Sequence, residues 1–265
     1  MSRDKRIVFA ADPHCGALYG LAPPHWWSRD DAKYRRISKV GKFQRELWGF
    51  YTKAIDSLKP IDILSMPGDC IDGKGEKSGG MELITTDRHE QIIMAKEAID
   101  YAEAKNVRIT YGTAYHTGRE EDFESLLKSI CKGRVSIHGH DFIRVNGINI
   151  DIKHKIGKSS IPHGQMTPLA RARLWNAIWF SEKERQPKAD ILVRAHIHHY
   201  NFCGQASWLG IICPALTYHS NYGIRSCEGL VDVGLIVIDI TAKGNYSWRP
   251  ILANFPELRV ESEVL

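Results

Sequence analysis

Residues 5–11 form a short apolar run that stops at Asp12, and the layout recurs along the chain. Similar runs at 61–66, 107–111 and 189–195 are each followed by Pro, Gly or His. Apolar runs of roughly 4–8 residues bounded by turn formers predict buried strands. Residues 31–58 carry Ile37, Val40, Leu47, Tyr51, Ala54 and Leu58 at steps of three, four and seven. That spacing lays one apolar stripe along a long helix. Further helices are predicted at 87–104, 120–131 and 167–184, the last with Pro168 in its first turn. Residues 141–153 read as a hairpin turning at Asn146-Gly147, a pair that accepts the positive φ of a tight primed turn. The Gly-, Pro- and Trp-rich stretch 16–28 and the Gly/Lys/Ser stretch 73–80 read as loops.

Strand and helix alternate over the first two-thirds, and strands dominate after residue 201, including 230–240 and 245–252. This predicts one α/β domain spanning residues 1–265, built on a mixed sheet or on two packed sheets. No repeat, low-complexity tract or interdomain linker interrupts it.

The 265 residues, 43% hydrophobic and 25% charged, suffice for a sizeable core. No apolar stretch approaches the roughly 20 residues that span a bilayer. The first apolar run is too short for a signal-peptide core. The expectation is a cytoplasmic protein with no membrane partner. The six cysteines include no C-x-x-C pair, which argues against a structural zinc site of that kind. Free thiols are expected. A net charge of +5 permits a phosphate-bearing partner without requiring one.

The chemistry gathers at the predicted strand ends. Asp12-Pro13-His14, Gly68-Asp69, Gly112-Thr113-Ala114-Tyr115-His116, His154 and His196-Ile197-His198 all follow apolar runs. Open α/β sheets deliver functional groups at the carboxyl ends of strands. Two divalent ions held about 3.5–4 Å apart can clamp a phosphoryl group and generate a hydroxide at neutral pH. Such a pair needs a carboxylate touching both ions, and Asp69, at the tip of the second strand, is the natural bridge. If the segments are extended, Asp12 and His14 point the same way, and so do His196 and His198. A single D-x-H or H-x-H arises often by chance. The ordered set does not.

That order resembles the calcineurin-like metallophosphoesterases, whose signature runs D-x-H, G-D-x-x-[DE], G-N-H-[DE], a lone H, then G-H-x-H. Here it reads Asp12-Pro-His14, Gly68-Asp69-Cys-Ile-Asp72, Gly112-Thr-Ala-Tyr-His116, His154 and Ala195-His196-Ile-His198. The resemblance implies a four-layer αββα sandwich with two mixed sheets and a dimetal site at their edge. It implies one ion on Asp12, His14, Asp69 and His198, and a second on Asp69, His154 and His196. Asp72 matches an outer acidic position that is usually structural.

The third motif departs from the pattern. Thr113 stands where the family has a metal-binding asparagine, and two residues intrude before His116. This Gly-Thr-x-x-His form resembles phage and prophage members, which would place the protein in a host cytoplasm. His116 takes the role of the family's catalytic histidine, steadying the transition state or protonating the leaving oxygen. His163 and His199 are candidate orienters of ligands, and His219 a candidate for the site mouth. His138 and His140 read as surface or packing residues.

The implied activity is hydrolysis of phosphate esters, diesters ahead of monoesters, with two divalent ions drawn from Mn²⁺, Fe, Zn²⁺ or Ni²⁺. The alternatives are a DNA or RNA nuclease of the same superfamily and a non-catalytic scaffold on the same fold. The expected partner is a phosphate ester, which a nucleotide or nucleic acid would supply. For the nuclease, the predicted first helix and its approach carry Arg29, Lys33, Arg35, Arg36, Lys39, Lys42 and Arg45 beside Trp26, Trp27 and Tyr34. A solvated helix face is the favoured reading of that cluster.

Overall fold

The computed structural model describes residues 3–27, 35–118, 123–159, 161–182, 185–219 and 230–255. Two sheets lie face to face. The first has six strands in the order β11-β10-β1-β2-β3-β4, with β1 at Lys5–Phe9, β2 at Ile63–Met66, β3 at Asn106–Thr110, β4 at Arg134–His138, β10 at Gly234–Ile240 and β11 at Tyr246–Leu252. The second has five in the order β5-β6-β7-β9-β8, with β5 at Asp141–Val145, β6 at Ile148–Lys153, β7 at Ile191–Arg194, β8 at Asn201–Gln205 and β9 at Trp208–Ile212. Both sheets are mixed. β1 runs parallel to β2 and antiparallel to β10, and β7 runs parallel to β6 and β9.

β1 is apolar without alternation because both of its faces are covered. Ile7 and Phe9 enter the core between the sheets with Ile150, Ile152, Ile191 and Val193. Val8 and Ala10 face the other way, under α1 (Arg35–Leu58) and α2 (Arg88–Tyr101). On the outer face of the second sheet, Leu169 of α5 (Thr167–Ser181) packs on Ile212. The result is the expected four-layer αββα sandwich with two mixed sheets, which chooses between the one-sheet and two-sheet readings of the periodicity.

The stripe on α1 is buried at Val40, Leu47, Tyr51, Ala54 and Leu58, joined by Phe43 and Ile55. Tyr51 also donates to Ala98 O of α2 at 2.7 Å. The hairpin turns at Asn146 and Gly147, with φ of 48° and 91°, and pairs Val145 with Ile148. Asp87 caps α2, accepting from His89 N at 2.8 Å.

The helix predicted over 120–131 differs. Its described part is a 3₁₀ turn, Phe123–Leu126, followed by a single helical turn, α4 (Leu127–Ile130). Glu124 is drawn inward there and is fully buried. The edge strand β4, with Val135 and Ile137 only partly buried, had too weak an apolar signal to be read as a strand.

Among the described residues, no helix is long and apolar enough to cross a membrane. Cys15, Cys70, Cys131, Cys203 and Cys213 are free thiols, as expected, and Cys227 lies outside the described residues. Arg29, Lys33 and Tyr34 also lie outside them, as do the side chains of Arg35, Arg36 and Lys39.

Candidate metal centre

Parallel strands put their carboxyl ends on one side, and the motifs follow them there. Asp12 and His14 come after β1, Asp69 after β2, Thr113 after β3, His154 after β6, and His196 and His198 after β7. Two groups form. Asp12, His14 and His198 bring ligand atoms within 4.8 Å of one another, and so do Asp69, His154 and His196. All six residues expected to hold metals are therefore at one place, past the carboxyl ends of strands from both sheets.

The local geometry corrects one expectation. Neither i, i+2 pair is extended. Asp12, His14, Asp69, His196 and His198 have φ of 47°, 42°, 48°, 77° and 59°. Among the described residues only two other non-glycine positions, Glu103 and Asn146, share the left-handed region. Such backbone is costly for residues with a Cβ and gathers where side-chain aim matters. The consequence is visible in the last motif. His196 joins Asp69 and His154, while His198 joins Asp12 and His14, so the two side chains diverge to different groups.

The imidazoles share one orientation. His14 Nδ1–H donates to Asp72 Oδ1 at 2.8 Å, His116 Nδ1–H to Asp72 O at 2.8 Å, and His154 Nδ1–H to Pro67 O at 2.7 Å. Each outward bond fixes a tautomer and aims the Nε2 lone pair inward, as for metal-ligating histidines. Those three Nε2 atoms lie 4.0, 3.9 and 3.1 Å from Asp69 Oδ2. Asp69 Oδ1 meanwhile accepts from Thr113 N at 2.6 Å and from its hydroxyl at 3.3 Å.

Two buried atoms at the centre make no hydrogen bond, His154 Nε2 and Asp12 Oδ1. Buried polar atoms are nearly always partnered. A lone pair facing a carboxylate is what a cation would bridge, so the donor set fits divalent ions. Electrostatics agree. Burial alone would lower His14 and His154, but Asp72, Asp69 and Asp12 at His14, and Asp69 and Asp12 at His154, outweigh it and raise both to about 9, so that without a cation the carboxylates draw protons to these rings instead. His196 goes the other way, lowered to about 4 by burial and by the neighbouring His154. Burial, then His14, also lowers His116.

The motif glycines have steric reasons. A Cβ on Gly68, where φ is 86°, would sit 2.5 Å from the His154 ring, and one on Gly112 would meet Asp69 Oδ1 at 2.1 Å. His116 rides on a single helical turn, α3 (Ala114–Thr117), and its ring lies edge-on to His14 with centroids 4.5 Å apart. Its group is His14 and Asp72, not the one around His154.

Two residues do more than the sequence indicated. Asp72 buttresses both His14 and His116, and it was visible only as an outer acidic position. Glu124 was not read at all. Its carboxyl accepts from Cys70 N at 2.5 Å and Gly112 N at 2.8 Å, tying together the loops after β2 and β3. Burial, then the charge of Asp69, pushes it up to about 7. No local signal marks a residue that acts through contacts 54 and 12 positions away.

The remaining histidines divide. His219, a candidate for the site mouth, lines the centre's cavity. His163 is exposed on a 3₁₀ turn, and His199 is buried with its Nε2 unpartnered, so His199 orients no ligand through that nitrogen. His138 and His140 face the carboxylates of Asp141 and Asp151 at 3.9 and 2.8 Å. The cavity itself measures about 400 Å³ and is walled by Tyr19, Tyr115, Ile197 and Tyr218, with Lys77 and Lys158 exposed along it.

No family model and no curated protein matches the chain. Solved structures similar to it include a novel archaeal phosphodiesterase at 13% identity and TM-score 0.48, covering 93% of this chain and 99% of that one. Vacuolar protein sorting 29 from Cryptosporidium parvum is similar at 12% identity and TM-score 0.45, covering 95% and 100%. A predicted phosphoesterase from Streptococcus pneumoniae is similar at 9% identity and TM-score 0.39, covering 96% and 100%. Likeness at this level transfers no activity and no residue role.

Proposed function

We propose that the chain is a metal-dependent phosphoesterase of the calcineurin-like type that prefers diesters. The observation that supports this most is the ring of Nε2 atoms from His14, His116 and His154 around Asp69 Oδ2. Asp12, His14, Asp69 and His198 would hold one divalent ion, and Asp69, His154 and His196 a second. Bound there, the ions would supply positive charge to a phosphoryl group and a water acidic enough to ionise near neutral pH. Asp69 is the shared ligand, and Thr113 fixes its Oδ1 so that Oδ2 faces the imidazoles.

His116 is the catalytic residue in this reading. Its Nδ1–H is engaged by Asp72 O, which leaves Nε2 to exchange a proton with the leaving oxygen. The diester preference rests on the cavity walls. Tyr19, Tyr115, Ile197 and Tyr218 suit the organic arm of a diester. The described cavity residues include no arginine to clamp a terminal dianion. The scaffold reading draws on one observation, the threonine in place of the family's asparagine.

Metal reconstitution followed by elemental analysis, with paired aryl phosphodiester and phosphomonoester substrates, tests this function. Near two ions per chain and faster diester cleavage are expected. The reverse ranking across Mn²⁺, Zn²⁺ and Ni²⁺ would remove the diester preference. Failure to take up metal or to hydrolyse either ester would leave the scaffold.

A further inference from the structure

A second cavity, of about 360 Å³, opens between α5 and the segment that follows β6. It shares Ile156 with the cavity of the metal centre, so the two adjoin. Four cations line it, Lys153, Lys155, Arg171 and Arg194, against one carboxylate, Asp151. That carboxylate is already matched, by Arg194 at 2.8 Å and His140 at 2.8 Å. Lys153, Lys155 and Arg171 are exposed and make no ion pair with any described residue. Beside them stand Trp175 and Trp179, 55% and 38% exposed.

Unmatched cations beside exposed indoles fit one class of ligand well. Phosphates satisfy the cations, and unpaired bases stack on the aromatic faces. We propose that this cavity is a docking subsite for single-stranded polynucleotide, continuous with the metal centre. Passage of the strand on to the metals rests on the phosphoesterase reading, whereas docking does not. The sequence offered α1 as the candidate while favouring a solvated helix face there, and Lys42 on that helix lies 3.6 Å from Glu46. The structure puts unmatched cations at the end of β6 and on α5.

Binding of a labelled phosphorothioate oligothymidylate, which keeps its charge and resists cleavage, is measured by fluorescence anisotropy on the full metal-loaded chain. Affinity should fall linearly on a log–log plot against salt. Trp175→Ala should weaken binding about 5- to 150-fold, the range of one lost stack. Arg171→Ala should reduce the salt slope by about 0.7, one phosphate contact on a single strand. Arg171→Lys should restore that slope, which a misfolded variant would not do. No binding by the wild-type chain, or wild-type affinity and slope in both alanine variants, overturns the proposal. So does a dimer that Trp175→Ala dissociates without affecting oligothymidylate, because the face would then join two copies of the chain. If the chain binds oligothymidylate through these residues but cleaves no ester, docking stands and the phosphoesterase reading falls. If it cleaves an aryl diester but the variants bind like wild type, docking alone falls.

Discussion

Asp69 and Asp151 are both about 1% exposed, and the protein treats them in opposite ways. Asp151 is neutralised from within. Its Oδ1 lies 2.8 Å from the Arg194 guanidinium and 2.8 Å from His140 Nε2. Among the described residues, Asp69 has no guanidinium or ammonium paired with it. Its Oδ1 is held by Thr113, and its Oδ2 faces three imidazole Nε2 atoms. A buried carboxylate needs a countercharge. One site uses a permanent guanidinium, and the other only imidazoles, whose protons an imported cation can replace. The contrast separates a structural acid from a candidate metal ligand better than burial does.

Replacing Asp69 breaks the comparison most sharply. Asp69→Asn should lower metal content below two per chain and cut diester turnover at least about 100-fold, since even outer-shell losses cost 10–100-fold. Elemental analysis with kinetics checks this, and full activity would remove the proposed bridge.

His116→Gln should cut turnover roughly 10²–10⁴-fold, the usual worth of a general acid or base, with both ions retained. A leaving group of low pKa should partly rescue the variant, because it departs without a proton. Loss of one ion would instead make His116 a ligand.

At Asp151 the readout is stability. Arg194→Met leaves the buried carboxylate without its cation and should cost roughly 3–5 kcal/mol by denaturant unfolding, while folded protein keeps its metals. Burial alone would raise Asp151, but His140 and Arg194 hold it below the ordinary 3.8. Its contribution is therefore complete above pH 3.8 and lost as pH falls through the lower folded value. The gap between wild type and variant should close in that acid range. A gap that persists to lower pH would mean that packing, not charge, sets the cost.

The smallest effect is expected at Glu124. Glutamine keeps one acceptor oxygen where two N–H groups, of Cys70 and Gly112, need partners. Glu124→Gln should weaken metal binding 10–100-fold without changing the number of ions at saturation. Titration with a competing chelator measures it. Unchanged affinity would mean that the loops after β2 and β3 hold their shape without this tie.

The strands and the long helices were legible because burial imposes a period on the sequence. β1 reads as a strand from residues 5–9 alone, and the α1 stripe from Val40 to Leu58 needs nothing beyond its spacing. The candidate ligands were legible because few residue types bind divalent ions and the motif order is specific. Other features follow from where separate segments meet. The left-handed backbone at Asp12, His14, Asp69, His196 and His198 overrides the extended geometry that their spacing suggests. Glu124 gains its role only when the chain folds it between two loops. The Lys153, Lys155 and Arg171 cluster forms because α5 crosses the second sheet beside the end of β6. Periodicity and residue chemistry are local properties, so the sequence determined the elements and the candidate ligands. The aim of each side chain and the matching of each buried charge depend on distant partners, and only the tertiary structure decided them.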